Sequence, residues 1–211
     1  MYKFKNLLAT VIFSLFATAS IAGVNVGVSL TGVSMEPEGK ESTDTQRRSE
    51  TIEAAIGEIF VEYDFGLIGV GVSHVPYDID SETVENNRDG EAVDTGTTRV
   101  NVDIADLTTV YVTVDLADTG AYLKVGGTQA DVITNEVMAT GTNYPNDTLN
   151  GGQVSIGMSK DLGMLSVRAE VGYHQYEDLK VNGKGGDGDQ NTVEIHDLSG
   201  TRAQISLVKS F

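Results

Sequence analysis

His74, His174 and His196 are the residues that titrate closest to neutrality in a chain without cysteine, so acid–base or nucleophilic chemistry would have to begin with them. They fall in three separate segments. No serine or carboxylate is arranged around any of them in a recognisable nucleophile–base pattern, and no HExxH spacing occurs. His174 shares the polar parity of its segment and reads as a rim residue. A second chemistry, cation ligation, is hinted at in "GKGGDGDQNTVEIHD", where Asp187, Asp189 and Asn191 open like a calcium loop. Thr192 stands where that loop needs glycine and Leu198 where it needs a closing glutamate, so the motif is partial. "YDIDSETVENNRDGEAVDTGTT" carries Asp78, Asp80, Glu82, Glu85, Asp89, Glu91 and Asp94 against Arg88 alone, a hydrated acidic loop that could attract divalent cations without a dedicated site. The expectation is no catalytic residue, no cofactor and no true metal centre.

A third set is less conventional. Glu58, Glu62, Lys124, Arg168, Glu170 and Arg202, three acids and three bases, sit inside runs that otherwise alternate apolar with small polar residues. In "MLSVRAEVGYHQY", Leu165, Val167, Ala169, Val171 and Tyr173 share one parity, and Arg168, Glu170 and His174 the other. Charges placed this way require strands, because only a period of two puts successive residues on opposite faces.

Eight such segments can be counted along the chain. They are "GVNVGVSLTGVS", "IGEIFVEYDF", "GLIGVGVSHVPY", "RVNVDIADLTTVYVTVDL", "GAYLKVGGTQ", "GGQVSIGMSK", "MLSVRAEVGYHQY" and "GTRAQISLVKSF". Asp64-Phe65-Gly66 and Asp161-Leu162-Gly163 are tight corners. Short turns join segments two and three, four and five, and six and seven; long polar stretches join the others. That strict alternation puts every long connection at one end of an up-and-down meander and every short turn, with both termini, at the other. Spans of about 9 to 11 residues cross a bilayer as tilted strands, a length that every segment except the fifth is expected to reach comfortably. The fourth overshoots, which would carry Asp106 beyond the hydrocarbon.

Lys3 and Lys5, an apolar stretch from Leu7 to Phe16, and small residues Ser20 and Ala22 predict a signal peptide over 1–22, with Ala19 as a second cleavage position and 23–211 as one domain. Loss of the two lysines takes the net charge from −17 to −19, which argues against nucleic acid as a partner. The apolar faces are built from Val, Ile, Leu and Ala, and the opposite faces are rich in Gly and Ser. Such faces suit hydrocarbon outside and a crowded lumen inside a closed all-β barrel. Closure is required because hydrocarbon offers unpaired backbone groups no partner. The six charges then point inward and fill the lumen as a structural plug.

The leader, the eight alternating segments, the short turns opposite acidic loops, and the ending "AQISLVKSF" together resemble the small outer-membrane β-barrel proteins of Gram-negative bacteria, the opacity and adhesion type. The resemblance implies an outer-membrane location in contact with lipid. It also implies that the last strand, with Ile205, Leu207 and Phe211, is an assembly signal for the barrel-insertion machinery. Lys209 departs from the apolar residue usual there and can snorkel. The implied role is membrane structure or surface interaction, without enzymatic activity. Two alternatives stay open, a small porin or solute channel and a soluble exported β-barrel binding module.

Overall fold

The computed structural model describes residues 23–41, 48–49, 51–81, 83–88, 96–137, 142–185 and 192–211. Residues 1–22, where a signal peptide is predicted, and Glu82, Asp89, Glu91, Asp94, Asp187, Asp189 and Asn191 lie outside the described residues. Eight strands form the body: β1 (Val24–Met35), β2 (Ile52–Asp64), β3 (Ile68–His74), β4 (Gly96–Asp115), β5 (Ala121–Val137), β6 (Asp147–Asp161), β7 (Ser166–Tyr176) and β8 (Ser199–Ser210). Each pairs antiparallel with its chain neighbour, and β8 pairs with β1 from Asn25↔Ser210 to Met35↔Gly200, so the sheet closes on itself without an edge.

The closure is completed at the ends of the described chain. Gly23 N donates to Phe211 O at 3.0 Å, Phe211 N to Val24 O at 2.9 Å, and Asp64 N to Gly23 O at 2.7 Å. The three short turns lie at this same end. In the β2–β3 corner Gly66 takes φ of 98°, a left-handed conformation suited to glycine, and its N–H donates to Asp64 Oδ1 at 2.6 Å. The β6–β7 corner repeats this with Gly163 at φ of 93°.

Two expectations about length are corrected. The short strand is the third, with seven residues, whereas the fifth runs for seventeen. Pro76 follows β3 closely; it lacks an N–H and fixes its φ, so the ladder cannot continue through it. Tyr77 then lies against β2, its hydroxyl accepting from Gly57 N at 2.6 Å. β5 continues beyond Gln129, but there Ala130 and Val132 put apolar residues on the parity that is polar below, which reads in sequence as a strand ending.

The fourth strand also departs from a single parity. Between Ala105 and Thr108 its register against β5 shifts by one residue, a β-bulge with Asp106 at φ of 53°. Below the bulge Val110, Val112 and Val114 face outward; above it Ile104 and Val102 face inward opposite Val132 and Thr134.

Described parts of two long connections form strands of their own. Short strands Glu38–Glu41 and Arg48–Ser49, from the β1–β2 connection, join Leu179–Asn182 and Thr192–His196, from the β7–β8 connection, in a separate four-stranded sheet. The LKVN alternation buries Leu179 and Val181, which pack with Val132 and with Val102, Ile104, Tyr144, Leu149, Ile195 and Leu198. This apolar cluster forms the core of a cap over the long-connection end of the barrel.

Candidate functional site

Inside the closed sheet the alternation brings polar residues from all sides onto a common axis. Glu58 and Glu62 come from β2, Lys124 from β5, Arg168 and Glu170 from β7, and Arg202 from β8. Arg168 makes a two-toothed pair with Glu62, Nη1 to Oε2 at 3.1 Å and Nη2 to Oε1 at 2.8 Å, across strands separated by more than a hundred residues of chain. Lys124 Nζ lies 3.2 Å from Glu170 Oε2, and Tyr122 Oη donates to Glu170 Oε1 at 2.8 Å. Arg202 Nη2 and Glu58 Oε1 form a third, longer ion pair at 3.6 Å.

Uncharged polar groups knit these pairs together. Gln204 accepts from Lys124 Nζ at 3.4 Å and donates through Nε2 to Ser29 Oγ at 2.8 Å and Glu58 Oε1 at 3.3 Å. Thr31 Oγ1 donates to Glu58 at 2.5 Å, and Asn25 Nδ2 to Glu62 at 3.2 Å. Buried charges are tolerable only when paired and hydrogen-bonded, and this network meets that condition for Glu62, Glu170 and Lys124.

The sequence reading did not single out the aromatic fillers of the lumen. Phe60, Tyr111 and Tyr122 all point inward, Tyr111 being only 2% exposed. Each stands directly opposite a glycine on the neighbouring strand: Phe60 with Gly27, Tyr111 with Gly71 and Tyr122 with Gly157. A Cβ on any of those glycines would overlap the facing ring, so glycine is required by close approach. Lumen-parity glycines matched to aromatics across the hairpins are the signal that would have found them. Lys124 Nζ sits 4.3 Å from the centre of the Tyr111 ring, and Arg168 5.7 Å from that of Tyr122, so cations and rings pack as one plug.

The outside of the barrel is the reverse. Leu30, Ile156, Met158 and Ile205 are each more than half exposed, part of a continuous apolar belt running round the sheet. At the short-turn end Tyr63 and Phe65 pack with ring centres 4.6 Å apart. Ile205 and Leu207 face outward; Lys209 does too, with its Nζ 5.4 Å from the centre of the Phe211 ring. Phe211 itself is 41% exposed.

The histidines are not brought together. His74 Nδ1 is 3.0 Å from Thr108 Oγ1 on the outer side of the β3–β4 pair, His174 is buried in the lumen, and His196 lies in the cap beside Asp178 at 2.8 Å and Glu194 at 3.6 Å. The Asp178 hydrogen bond raises the pKa of His196, and the Lys180 ammonium, 2.5 Å from Glu194, lowers that of the carboxylate. Among the described residues no group of three or more His, Asp or Glu is disposed to hold a metal ion.

Comparison with known proteins supports the fold and goes no further. No protein-family model matches the sequence, and no curated protein matches it. The structure is similar to the outer membrane protein OprG from Pseudomonas aeruginosa, with a TM-score of 0.57 at 13% identity over 90% of this chain and 96% of that one. Outer membrane protease OmpT from Escherichia coli aligns with a TM-score of 0.49 at 9% identity over 90% of this chain and 97% of that one. Neisserial surface protein A aligns at 0.41 with 7% identity over 90% and 98%. The fold is that of an outer-membrane β-barrel.

Proposed function

We propose that the protein is an integral outer-membrane barrel with a side-chain-filled lumen, acting in membrane structure or surface interaction through its cap and acidic loops, and not as an enzyme. The observation that carries this reading is the inversion of polarity around one closed sheet: ion pairs inside, a wide belt of exposed Val, Leu and Ile outside. Water would penalise such a belt heavily, at about 25 cal/mol per Å² of exposed apolar surface, whereas lipid would not. A soluble module would have to cover it. The OprG likeness, to a barrel described as an outer membrane protein, fits the same location.

Conduction is disfavoured by the lumen. Arg168–Glu62, Lys124–Glu170 and the rings of Tyr111 and Tyr122 occupy the axis of an eight-stranded barrel, whose interior is only wide enough for its own side chains. The test is fractionation of expressing cells, followed by gels with and without boiling and planar-bilayer recording. Heat-modifiable protein in the outer-membrane fraction with no unitary conductance is expected. Detergent-independent solubility would overturn the membrane reading, and ohmic channels would replace the plug with a pore.

A further inference from the structure

The lumen network satisfies its acids better than its upper cation. Arg202 lies near the long-connection end of β8, with its side chain 7% exposed, and its Nε and Nη2 have no hydrogen-bond partner among the described residues. Those two atoms form one edge of the guanidinium, the pair of parallel donors that engages both oxygens of a carboxylate or phosphate side-on. Glu58 does not fill the role: it stays 3.6 Å from Nη2, while its Oε1 already accepts from Thr31 and Gln204. A guanidinium cannot shed its proton to escape this position.

Two further buried polar atoms without a hydrogen-bond partner among the described residues lie beside it. Gly172 is opposite Arg202 on one side and opposite Ser155 on the other. Ser155 Oγ leans over Gly172, where a Cβ would collide with it, and is unpartnered. His174, two residues along β7 and therefore on the same inward face, is 4% exposed with Nε2 unpartnered. Gly200, opposite His174, and Gly172 leave no side chain of their own between these groups. The Arg168–Glu62 pair closes the lumen on the short-turn side, so the approach is from the cap.

We propose that Arg202, Ser155 and His174 form a receptor for one oxyanion, a carboxylate or phosphate group presented from the long-connection side of the barrel. Arg202 supplies the two-toothed contact, Ser155 a third donor and His174 Nε2 a fourth when it carries the proton. The site depends only on the lumen geometry and not on where the barrel resides, so it can be tested in micelles independently of the membrane reading.

The experiment is titration of isotopically labelled full-length protein, folded in detergent, with inorganic phosphate and separately with acetate, at constant ionic strength, following the amide resonances of Gly172 and Gly200. Saturable shifts are expected. Saturation by both probes identifies a general oxyanion receptor, and saturation by one alone identifies the ligand as phosphate-like or carboxylate-like. Arg202→Lys, which keeps charge but loses the fork, is expected to weaken binding at least tenfold. Ser155→Ala removes an unpartnered hydroxyl, is expected to fold normally, and should weaken binding severalfold; it decides the matter if Arg202→Lys does not fold. Lys209→Gln, outside the barrel, is expected to leave binding unchanged. Linear, unsaturable shifts with both probes, or equal affinity in wild type and Ser155→Ala, would overturn the site.

Discussion

The belt-encircled barrel and the cap above it are built from the same strands with opposite polarity. In β5 the outward residues of the lower half are Leu123 and Val125, and the inward ones Tyr122, Lys124 and Thr128. Beyond Gln129 the inward positions become Ala130 and Val132, each under 5% exposed, and polar Asp131 and Asn135 interrupt the outward row. No residue is inserted; the chemistry of the inward parity changes instead. In β4 the same result is reached differently. Its even positions are apolar at Val102, Ile104, Val110, Val112 and Val114, and the bulge at Asp106 moves Val102 and Ile104 from the outside of the sheet to the inside. The lesson is that a strand carries a pattern relative to its surroundings. Hydrocarbon requires apolar groups outside and pairing of whatever is enclosed, while water requires the reverse.

The largest test of this contrast removes the bulge. Deleting Asp106 forces the two halves of β4 onto one parity, so either Val102 and Ile104 leave the cap core or Val110, Val112 and Val114 enter the lumen. A one-residue slip exchanges every side chain between faces. Loss of nearly all heat-modifiable protein is expected, and a normal yield would show that the bulge is incidental.

Breaking the lumen comes next. Arg168→Met leaves Glu62 enclosed without its cation, and removal of one partner of a buried pair costs on the order of 3 to 5 kcal/mol. Urea unfolding in lipid vesicles measures it. The double variant Arg168→Met with Glu62→Leu should recover most of the loss, and failure to recover would mean that the pair is needed for more than mutual neutralisation.

The cap should answer to cavity rules in place of charge rules. Leu179→Ala is expected to cost about 2 kcal/mol, at the low end for a leucine truncation because the cluster is small. The loss should be local: faster hydrogen exchange in Leu179–Asn182 and Thr192–His196, with the barrel's heat-modifiable mobility intact. Simultaneous loosening of β1 and β8 would show that cap and barrel are one cooperative unit.

Phe211 separates assembly from stability at the opposite end. Its ring is 41% exposed, so deletion should remove less than the roughly 1.5 to 3 kcal/mol of a fully buried aromatic. If the residue is an insertion signal, the amount of folded protein in the outer membrane falls far more than that, compared with Leu207→Ala. Equal assembly of the deletion and the intact chain would remove the signal reading.

The smallest effect belongs to His196. Its pKa is raised in the folded cap, chiefly by the Asp178 hydrogen bond, so its contribution to stability is complete below the ordinary histidine pKa and is lost as pH rises through the elevated one. Asp178→Asn should return the His196 titration, followed by ring resonances, toward the usual value. An unchanged titration would assign the shift to Glu194 instead.

Much of the barrel was determined by the sequence alone. Period-two alternation identified β1, β6, β7 and β8 with the right faces, because a residue's parity and its partition between lipid and lumen are local properties. The alternation of short and long connections ordered the meander for the same reason. Glu58, Glu62, Lys124, Arg168, Glu170 and Arg202 could be placed on inward positions by counting, but not paired, since Arg168 and Glu62 lie 106 positions apart and meet only when closure fixes the shear of every ladder. The glycine–aromatic matches of the lumen depended likewise on register across a hairpin. The cap was hidden for a further reason. Its apolar cluster draws on Val102 and Ile104 of β4, Val132 of β5, Tyr144 and Leu149 before and in β6, and Leu179, Val181, Ile195 and Leu198 from the connection after β7, residues that look ordinary alone. Only tertiary structure decided where water begins along a strand, because the change from hydrocarbon to solvent is a property of the surroundings and leaves no mark on a single residue.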